Sequence, residues 1–114
     1  MQHLGYWNFI EARENGSTSH GQGFLYYGAD AQMSVTLLKV NRVSKQAIFW
    51  TSYIGSYEIL KEGLIIHRPK IGISPSGIAE KKRGISFPQP RQLKLTAQSG
   101  ENITEILFSR ALPT

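Results

Sequence analysis

Apolar and polar residues alternate along most of this chain, in short blocks that turn residues separate. In one block Met33, Val35 and Leu37 alternate with Ser34 and Thr36. Successive side chains of a β-strand point to opposite faces of its sheet, so a period of two predicts half-buried strands. The predicted strands are residues 6–13, 23–27, 32–40, 55–60, 64–69, 82–87, 92–97 and 103–111.

The connections between these blocks carry signals of their own. Asn15-Gly16 follows the first block, and Asn-Gly is a strong signal for a tight hairpin turn. Residues 41–54 lack the alternation, and Ser44 stands where it can cap a helix. We therefore expect one short helical segment there, which covers an end of the fold and carries Trp50.

The length of 114 residues and the short connections indicate a single domain, residues 1–114. Many short antiparallel strands must protect their edges; an up-and-down barrel does so by closing, whereas a sandwich leaves edges exposed. We therefore predict an all-β fold, a small closed antiparallel up-and-down barrel of about eight strands. Such a barrel is filled by side chains or holds one small ligand.

Composition narrows the class of protein and its expected location in the cell. Hydrophobic residues make up 40% of the chain and charged residues 18%, a balance that argues against disorder. The chain has no cysteine, which excludes a small secreted disulfide scaffold. It has no signal-peptide pattern, and no apolar stretch approaches the roughly 20 residues that a membrane span needs. We expect a cytoplasmic protein with no membrane partner, either a monomer or a homodimer.

The net charge of +5 makes nucleic acid a candidate partner. The basic residues are scattered, however, and the only dense run is Lys81-Lys82-Arg83, which fits a solvated loop or a charged strand edge. Binding of single-stranded nucleic acid uses aromatic residues exposed among basic ones, and the alternation places the aromatic residues inside. We therefore expect no nucleic-acid partner.

Residues at the two ends of the chain resemble the signature of a barrel family. Gly5-Tyr6-Trp7 opens the first block as a Gly-x-Trp, and Arg110 lies near the end of the last block. This pair is similar to the lipocalin pattern, in which a first-strand Trp closes the barrel floor and a last-strand Arg packs across it. The resemblance implies that Gly5, Trp7 and Arg110 form the closed end, where a guanidinium can stack on an indole.

Three internal stretches extend this likeness to the lipocalin-like domain family of bacteria and fungi, which is compact and cytoplasmic. Residues 23–35 resemble its "G-x-L-x-Y…G-x-M-S-V" hairpin, and residues 53–59 resemble "Y-x-G-x-Y-E-V". The third stretch is residues 64–67, followed at a distance by Arg83 and residues 93–96. The likeness informs the fold more than the function, because members of one fold do different things.

Ala31 departs from the family pattern. It stands where the family tends to have a glycine in the turn between the second and third strands. We expect the strained backbone of this turn to shift onto Gly28 or Asp30, because glycine and aspartate tolerate the left-handed conformation better than alanine does.

The interior of the barrel is the predicted binding site. If Trp7 points inward, alternation places Phe9 there too, and Tyr57 and Ile59 form the inward set of the fourth strand. Tyrosines line an apolar pocket with a polar tip that can orient a carbonyl or hydroxyl, although aromatic residues also simply suit half-buried strands. The predicted ligand-binding residues are Trp7, Phe9, Tyr26, Met33, Val35, Leu37, Trp50, Tyr53, Tyr57 and His67.

His67 is the first candidate for chemistry, because a histidine titrates near neutral pH and can act as an acid or a base. Tyr57 and an inward Arg83 are the other candidate catalytic residues, which would orient or polarise a carbonyl. The alternative for His67 is a half-exposed strand position or a ring satisfied by a buried tyrosine. The pattern leaves open whether His67, Arg68 and Arg83 point inward.

Neither a metal nor a cofactor is expected. His3, His20 and His67, with no cysteine, have no metal-ligand spacing, and no Gly-rich phosphate loop precedes a helix. One functional hypothesis is a module that carries or sequesters a small, largely apolar molecule inside the barrel. The other, suited to secondary metabolism, is a cofactor-free cyclase, isomerase or hydratase acting on a polyketide-like or terpenoid-like substrate. A wholly apolar cavity favours the carrier. An open cavity into which His67, Arg68 or Arg83 points beside Tyr57 favours the enzyme, and a barrel filled by side chains weakens both hypotheses.

Overall fold

A computed structural model describes residues 1–40, 43–73 and 78–111, and these residues form one closed antiparallel barrel. Each strand pairs with the next in sequence, and the first also pairs with the last, with Trp7 opposite Arg110. The predicted up-and-down barrel is therefore confirmed, because this last pairing removes the edges that a sandwich would leave. The eight strands are β1 (Gly5–Glu14), β2 (Ser17–Tyr27), β3 (Gln32–Val40), β4 (Ala47–Lys61), β5 (Leu64–Gly72), β6 (Lys81–Ser86), β7 (Gln92–Ser99) and β8 (Asn102–Arg110).

The predicted helical segment at residues 41–54 is not helical in its described part. β4 begins at Ala47 and carries Trp50 on a strand, and the Ser44 hydroxyl accepts a hydrogen bond from the Gln46 amide at 3.3 Å. The register of β3 with β4 slips at Leu38, where an extra residue on β4 forms a bulge. A bulge interrupts the period of two, which explains why this strand lacks alternation. Residues 41–42 lie outside the described residues, and no helix that could cross a membrane occurs among those described.

β2 is also longer than predicted, because glycines hide its pattern. The strand begins at Ser17, directly after a turn in which Asn15 and Gly16 have φ angles of 50° and 87°. Positive φ at both central residues is typical of the type I′ hairpin turn that Asn-Gly favours, so the Asn-Gly prediction is confirmed. A Cβ on Gly23 would lie 2.0 Å from the Thr36 carbonyl oxygen, so the close approach of β2 to β3 requires glycine there.

The turn between β2 and β3 corrects the expectation for Ala31. Ala31 itself has a φ of 66°, so the strain stays on the alanine and does not move to Gly28 or Asp30. The amide of Ala31 donates to the Gly28 carbonyl at 3.2 Å, and the Asp30 carboxylate accepts from the Gln32 amide at 3.1 Å. These hydrogen bonds fix a turn that a glycine would adopt with less strain.

The core fills the half of the barrel around Trp7 and Phe108, both fully buried. Ile59 keeps its predicted inner face, opposite the fully buried Ile65, but it lies near the end of β4, where 41% of its surface is exposed. Among the residues that the structure describes, the polar side chains of His67 and Lys81 are buried with the apolar ones. The buried apolar residues are Trp7, Phe9, Ala12, Leu25, Tyr27, Met33, Val35, Leu37, Tyr53, Tyr57, Ile65, Ile66, Ile85, Leu93, Leu95, Ile106 and Phe108.

Arg110 closes the end of the barrel at which β1 begins. Its guanidinium lies 3.9 Å from the centre of the Trp7 ring and donates to the carbonyls of Leu4 and of Gln2, the latter at 2.6 Å. Gly5 has a φ of 103°, and a Cβ there would lie 3.2 Å from the guanidinium. The contact expected between Trp7 and Arg110 is therefore present, and it leaves the opposite end of the barrel as the open one.

Candidate ligand-binding site

A cavity of about 330 Å³ lies at the open end of the barrel. Its volume falls at the lower end of the roughly 300–1,000 Å³ that small-molecule pockets occupy. Residues of β3, β4, β6, β7 and β8 form its walls. The lining residues are Val35, Leu37, Trp50, Thr51, Tyr53, Lys81, Arg83, Leu95, Ala97, Thr104, Ile106 and Phe108.

Trp50 lies at the mouth of this cavity. Its ring is 6.0 Å from the Phe9 ring, centre to centre, and the Lys39 ammonium lies 4.2 Å from the centre of the indole. Lys39 also forms an ion pair with Glu14 at the end of β1. These contacts hold the indole between the core and the rim, so an aromatic strand residue takes the position for which a helical lid was expected.

Tyr53, Lys81 and Arg83 form the polar side of the cavity. Lys81 pairs with His67 across β5 and β6, and Arg83 pairs with Ile65 in the same register. Lys81 and Arg83 are two residues apart on one strand and therefore share a face of the sheet, and both line the cavity, so both cations are on the inner face. Among the described residues that line the cavity there is no carboxylate.

Lys81 is a buried cation, with only 7% of its surface exposed. Its ammonium donates to the Ala79 carbonyl at 2.9 Å and lies 5.1 Å from the centre of the Tyr53 ring. Burial and then the nearby Arg83 charge lower the pKa of Lys81, because both disfavour its charged form. The two residues give this side of the cavity a positive potential.

His67 lies behind the cavity wall, between two tyrosines. Its Nε2 is 2.6 Å from the Tyr27 hydroxyl and its Nδ1 is 2.7 Å from the Tyr53 hydroxyl. The imidazole is 1% exposed, and burial, followed by the charges of Arg83 and Lys81, lowers its pKa to about 3. His67 is therefore a neutral ring at physiological pH, with both nitrogens engaged.

The two tyrosines that bond His67 are held in their neutral forms as well. Burial raises the pKa of Tyr53 to about 12, with Arg83 opposing the rise. Burial also raises the pKa of the fully buried Tyr27 well above its usual range. Neither hydroxyl ionises near neutral pH, so the three side chains form a chain of hydrogen bonds between uncharged groups.

Tyr57, the other candidate catalytic tyrosine, faces the closed end. Its hydroxyl donates to the Gly28 carbonyl at 2.7 Å and accepts from His3 Nε2 at 3.1 Å. These partners lie in the β2–β3 turn and in the chain before β1. Tyr57 therefore does not line the cavity, and its hydrogen bonds attach the first residues of the chain to the barrel.

The predicted site residues divide between the cavity and other places. Tyr26 is not on the inner face: it follows the buried Leu25, precedes the buried Tyr27, and packs its ring 4.5 Å from exposed Tyr6. Arg68 also faces outward, where it pairs with Glu58 and Glu80. The predicted residues that line the cavity are Val35, Leu37, Trp50, Tyr53 and Arg83, whereas Trp7, Phe9, Met33, Tyr57 and His67 lie in the packed interior.

Sequence reasoning missed Lys81 and much of the wall on β7 and β8. The run Lys81-Lys82-Arg83 resembles a charged strand edge, although alternation from Arg83 places Lys81 on the same face as Arg83. The wall residues Leu95, Ala97 and Ile106 alternate in the same way, and only the closure of β1 on β8 brings them across the barrel interior from β3 and β4. These residues could not be assigned to the cavity from the sequence, because a local pattern does not show which strands pair.

A second, more open cavity of about 790 Å³ lies at the closed end, outside Trp7. Met1, which is 93% exposed, forms part of its wall together with Ile59 and Phe87. None of the described polar residues that line it is buried. The smaller cavity, which enters the barrel itself, is therefore the stronger candidate site.

Comparison with known proteins adds no family to these observations: no family model matches the chain, and no curated protein matches it. Within the described part of the chain, no group of three or more His, Cys, Asp or Glu residues is placed to hold a metal ion.

Proposed function

We propose that this protein is a lipocalin-like barrel that binds a small, largely apolar organic molecule in the cavity at its open end. The observation that carries the proposal is a cavity of about 330 Å³ inside the barrel, with Val35, Leu37 and Leu95 in its walls. Burial of an apolar guest against such walls contributes roughly 25 cal/mol for each Å² removed from water. The contact of Trp7 with Arg110 supports the lipocalin-like part of the proposal.

A fluorescence titration with N-phenyl-1-naphthylamine, a neutral apolar probe, tests the proposal. The probe should bind with saturable affinity, and Ala97→Phe should abolish binding because a phenyl group at this position fills the cavity. The matched control is Gln98→Phe, next on β7 and exposed on the outer face, which should leave binding unchanged. Equal binding to the wild type and Ala97→Phe would place the probe elsewhere and contradict the proposal.

The natural guest can be sought by native mass spectrometry of the protein purified from its own host. A carrier should retain one molecule of defined mass, which organic extraction releases unchanged. A protein that shows no bound mass from its host and no thermal shift with an apolar compound library would count heavily against binding.

The second candidate function is a cofactor-free cyclase, isomerase or hydratase acting on a polyketide-like or terpenoid-like substrate. The observation in its favour is the group of Tyr53, Lys81 and Arg83 at the cavity, which can polarise a carbonyl. His67 does not serve as its base, because both ring nitrogens are bonded to tyrosines and the ring does not line the cavity. Incubation of the extracted guest with catalytic amounts of fresh protein separates the two functions: conversion supports the enzyme, and an unchanged guest supports the carrier.

A further inference from the structure

The hydrogen-bond chain of Tyr27, His67 and Tyr53 has a direction. A neutral imidazole carries one N–H, so one tyrosine must donate to the ring and the other must accept from it. If Nε2 carried the hydrogen, Tyr27 would accept, and its own hydroxyl hydrogen would need another acceptor. Tyr27 is fully buried, and among the described residues its hydroxyl has His67 as its one hydrogen-bond partner.

The favoured arrangement therefore places the hydrogen on Nδ1 of His67. Tyr27 then donates to Nε2, and Nδ1–H donates to the Tyr53 oxygen. The Tyr27 hydroxyl and both ring nitrogens of His67 then have hydrogen-bond partners, as buried polar groups generally do. The Tyr53 hydroxyl, which accepts from His67, keeps its own hydrogen for a partner on the cavity side.

We propose that the cavity selects an apolar molecule bearing one anionic oxygen group, a carboxylate or an enolate, which accepts a hydrogen bond from Tyr53 and faces Arg83. This inference rests on the proposed function and names its ligand class. The polar side of the cavity supplies donors and positive charge, with no carboxylate among its described lining residues. An anionic oxygen accepts hydrogen bonds from these donors and is attracted by the positive charge. An ammonium group would be repelled by the two cations.

Arg83 and Tyr53 contribute in different ways to this recognition. Arg83 lines the cavity beside Lys81, and its guanidinium donates to the backbone carbonyl of Lys82 at 2.9 Å, which leaves further N–H groups on the same guanidinium. Tyr53 is 6% exposed and is held by His67, so its donor is positioned before the ligand arrives. A donor fixed in advance costs little ordering entropy on binding.

Two probes of one shape test the ligand class: 2-naphthoate and 2-methylnaphthalene, compared by calorimetry or by competition with N-phenyl-1-naphthylamine. The wild type should bind 2-naphthoate at least about tenfold more tightly, as charge-assisted hydrogen bonds predict. Failure of both probes to bind would contradict the proposed function. Equal affinity for the two would leave the proposed function standing and overturn this inference.

Variants assign the preference to its residues. Tyr53→Phe and Arg83→Gln should each reduce the preference for 2-naphthoate severalfold while leaving the affinity for 2-methylnaphthalene nearly unchanged. Tyr26→Phe removes a hydroxyl on the outer face, and Lys82→Gln removes a charge at an exposed position, so both controls should keep the wild-type preference. A preference that survives in Tyr53→Phe would overturn the role of the hydrogen-bond chain.

The tautomer has an independent measurement. A two-bond ¹H–¹⁵N correlation spectrum of the histidine side chains separates a protonated ring nitrogen from an unprotonated one. His67 should carry its hydrogen on Nδ1 at neutral pH. A hydrogen on Nε2 would reverse the direction of these hydrogen bonds, so that Tyr53 donates to His67 and has no hydrogen left for a ligand. That result would overturn the inference whether or not naphthoate binds.

Discussion

At the scale of the single residue, His67 shows how burial changes the chemistry of a side chain. Outside a protein, histidine is the group that titrates near neutral pH. Here the ring is removed from water beside Arg83 and Lys81, and its pKa falls to about 3. His67, whose residue type suggested acid–base catalysis, forms a neutral hydrogen-bonding link between Tyr27 and Tyr53.

This lowered pKa predicts a specific loss of stability in acid. The unfolded chain binds a proton at His67 below about pH 6.5, whereas the folded protein does not until about pH 3. Stability from this group is therefore complete above pH 6.5 and is lost as the pH falls toward 3, with a slope of at most about 1.4 kcal/mol per pH unit. Urea unfolding of wild type and His67→Gln, at several pH values across this window, measures it.

The variant His67→Gln should be less stable at neutral pH, because two buried tyrosine hydroxyls lose their shared partner, and its stability should fall less steeply in acid. The control is His20→Gln, which removes an exposed histidine and should keep the wild-type profile. Parallel profiles for the wild type and His67→Gln would show that His67 is not the group responsible.

At the scale of the element, the turns and the closed end determine how the strands meet. Ala31 adopts a left-handed backbone in the β2–β3 turn, and Arg110 joins the last strand to the residues before β1. The left-handed backbone of Ala31 lowers the stability of the fold, whereas the contacts of Arg110 raise it. Both lie away from the cavity, so changes there test the fold without altering the site.

Ala31→Gly should stabilise the protein. Glycine adopts a φ of 66° without the clash of a Cβ, a relief of about 1 kcal/mol that exceeds the added entropy of the unfolded chain. Ala29→Gly is the matched control, since Ala29 lies in the same turn without a positive φ and gains only unfolded-state entropy. Guanidinium unfolding should rank Ala31→Gly above the wild type and Ala29→Gly at or below it; the reverse order would contradict the assigned turn.

Arg110→Met should destabilise the barrel by about 1–3 kcal/mol, because Trp7 loses a stacked cation and the carbonyls of Leu4 and Gln2 lose their donors. Arg13→Met is the control: Arg13 is exposed and its 3.6 Å ion pair with Glu11 contributes little. Denaturant unfolding compares the two, and equal effects would show that Arg110 acts only as a surface charge.

The strands differ in how well their bounds could be predicted from the sequence. Alternation in β3 was unbroken, and its predicted bounds match the observed Gln32–Val40. β4 was cut short at its start because the bulge opposite Leu38 interrupts the period of two, and β2 because Gly21 and Gly23 have no side chain to alternate. Which way the His67 side chain points could not be predicted, because this depends on the pairing of β5 with β6 that places His67 opposite Lys81. A local stretch of sequence does not contain that pairing.

At the scale of the whole molecule, the barrel has two unlike ends. One is closed by Trp7, Arg110 and the first residues of the chain, while the other opens into a cavity of about 330 Å³. Packing density in protein interiors rarely leaves such a volume unfilled, so the open half differs from an ordinary core. The cavity has a definite orientation, because Lys81 and Arg83 lie on one of its sides and most of its other lining residues are apolar.

The most direct test of this account locates a bound probe by methyl NMR. On addition of N-phenyl-1-naphthylamine, the methyl signals of Val35, Leu37 and Leu95, which line the cavity, should shift and show contacts with the probe. The methyl signals of Ile59 and Ile85, in the wider cavity at the closed end, should stay unchanged. Shifts confined to Ile59 and Ile85, or no shifts at saturating probe, would contradict a binding site inside the barrel.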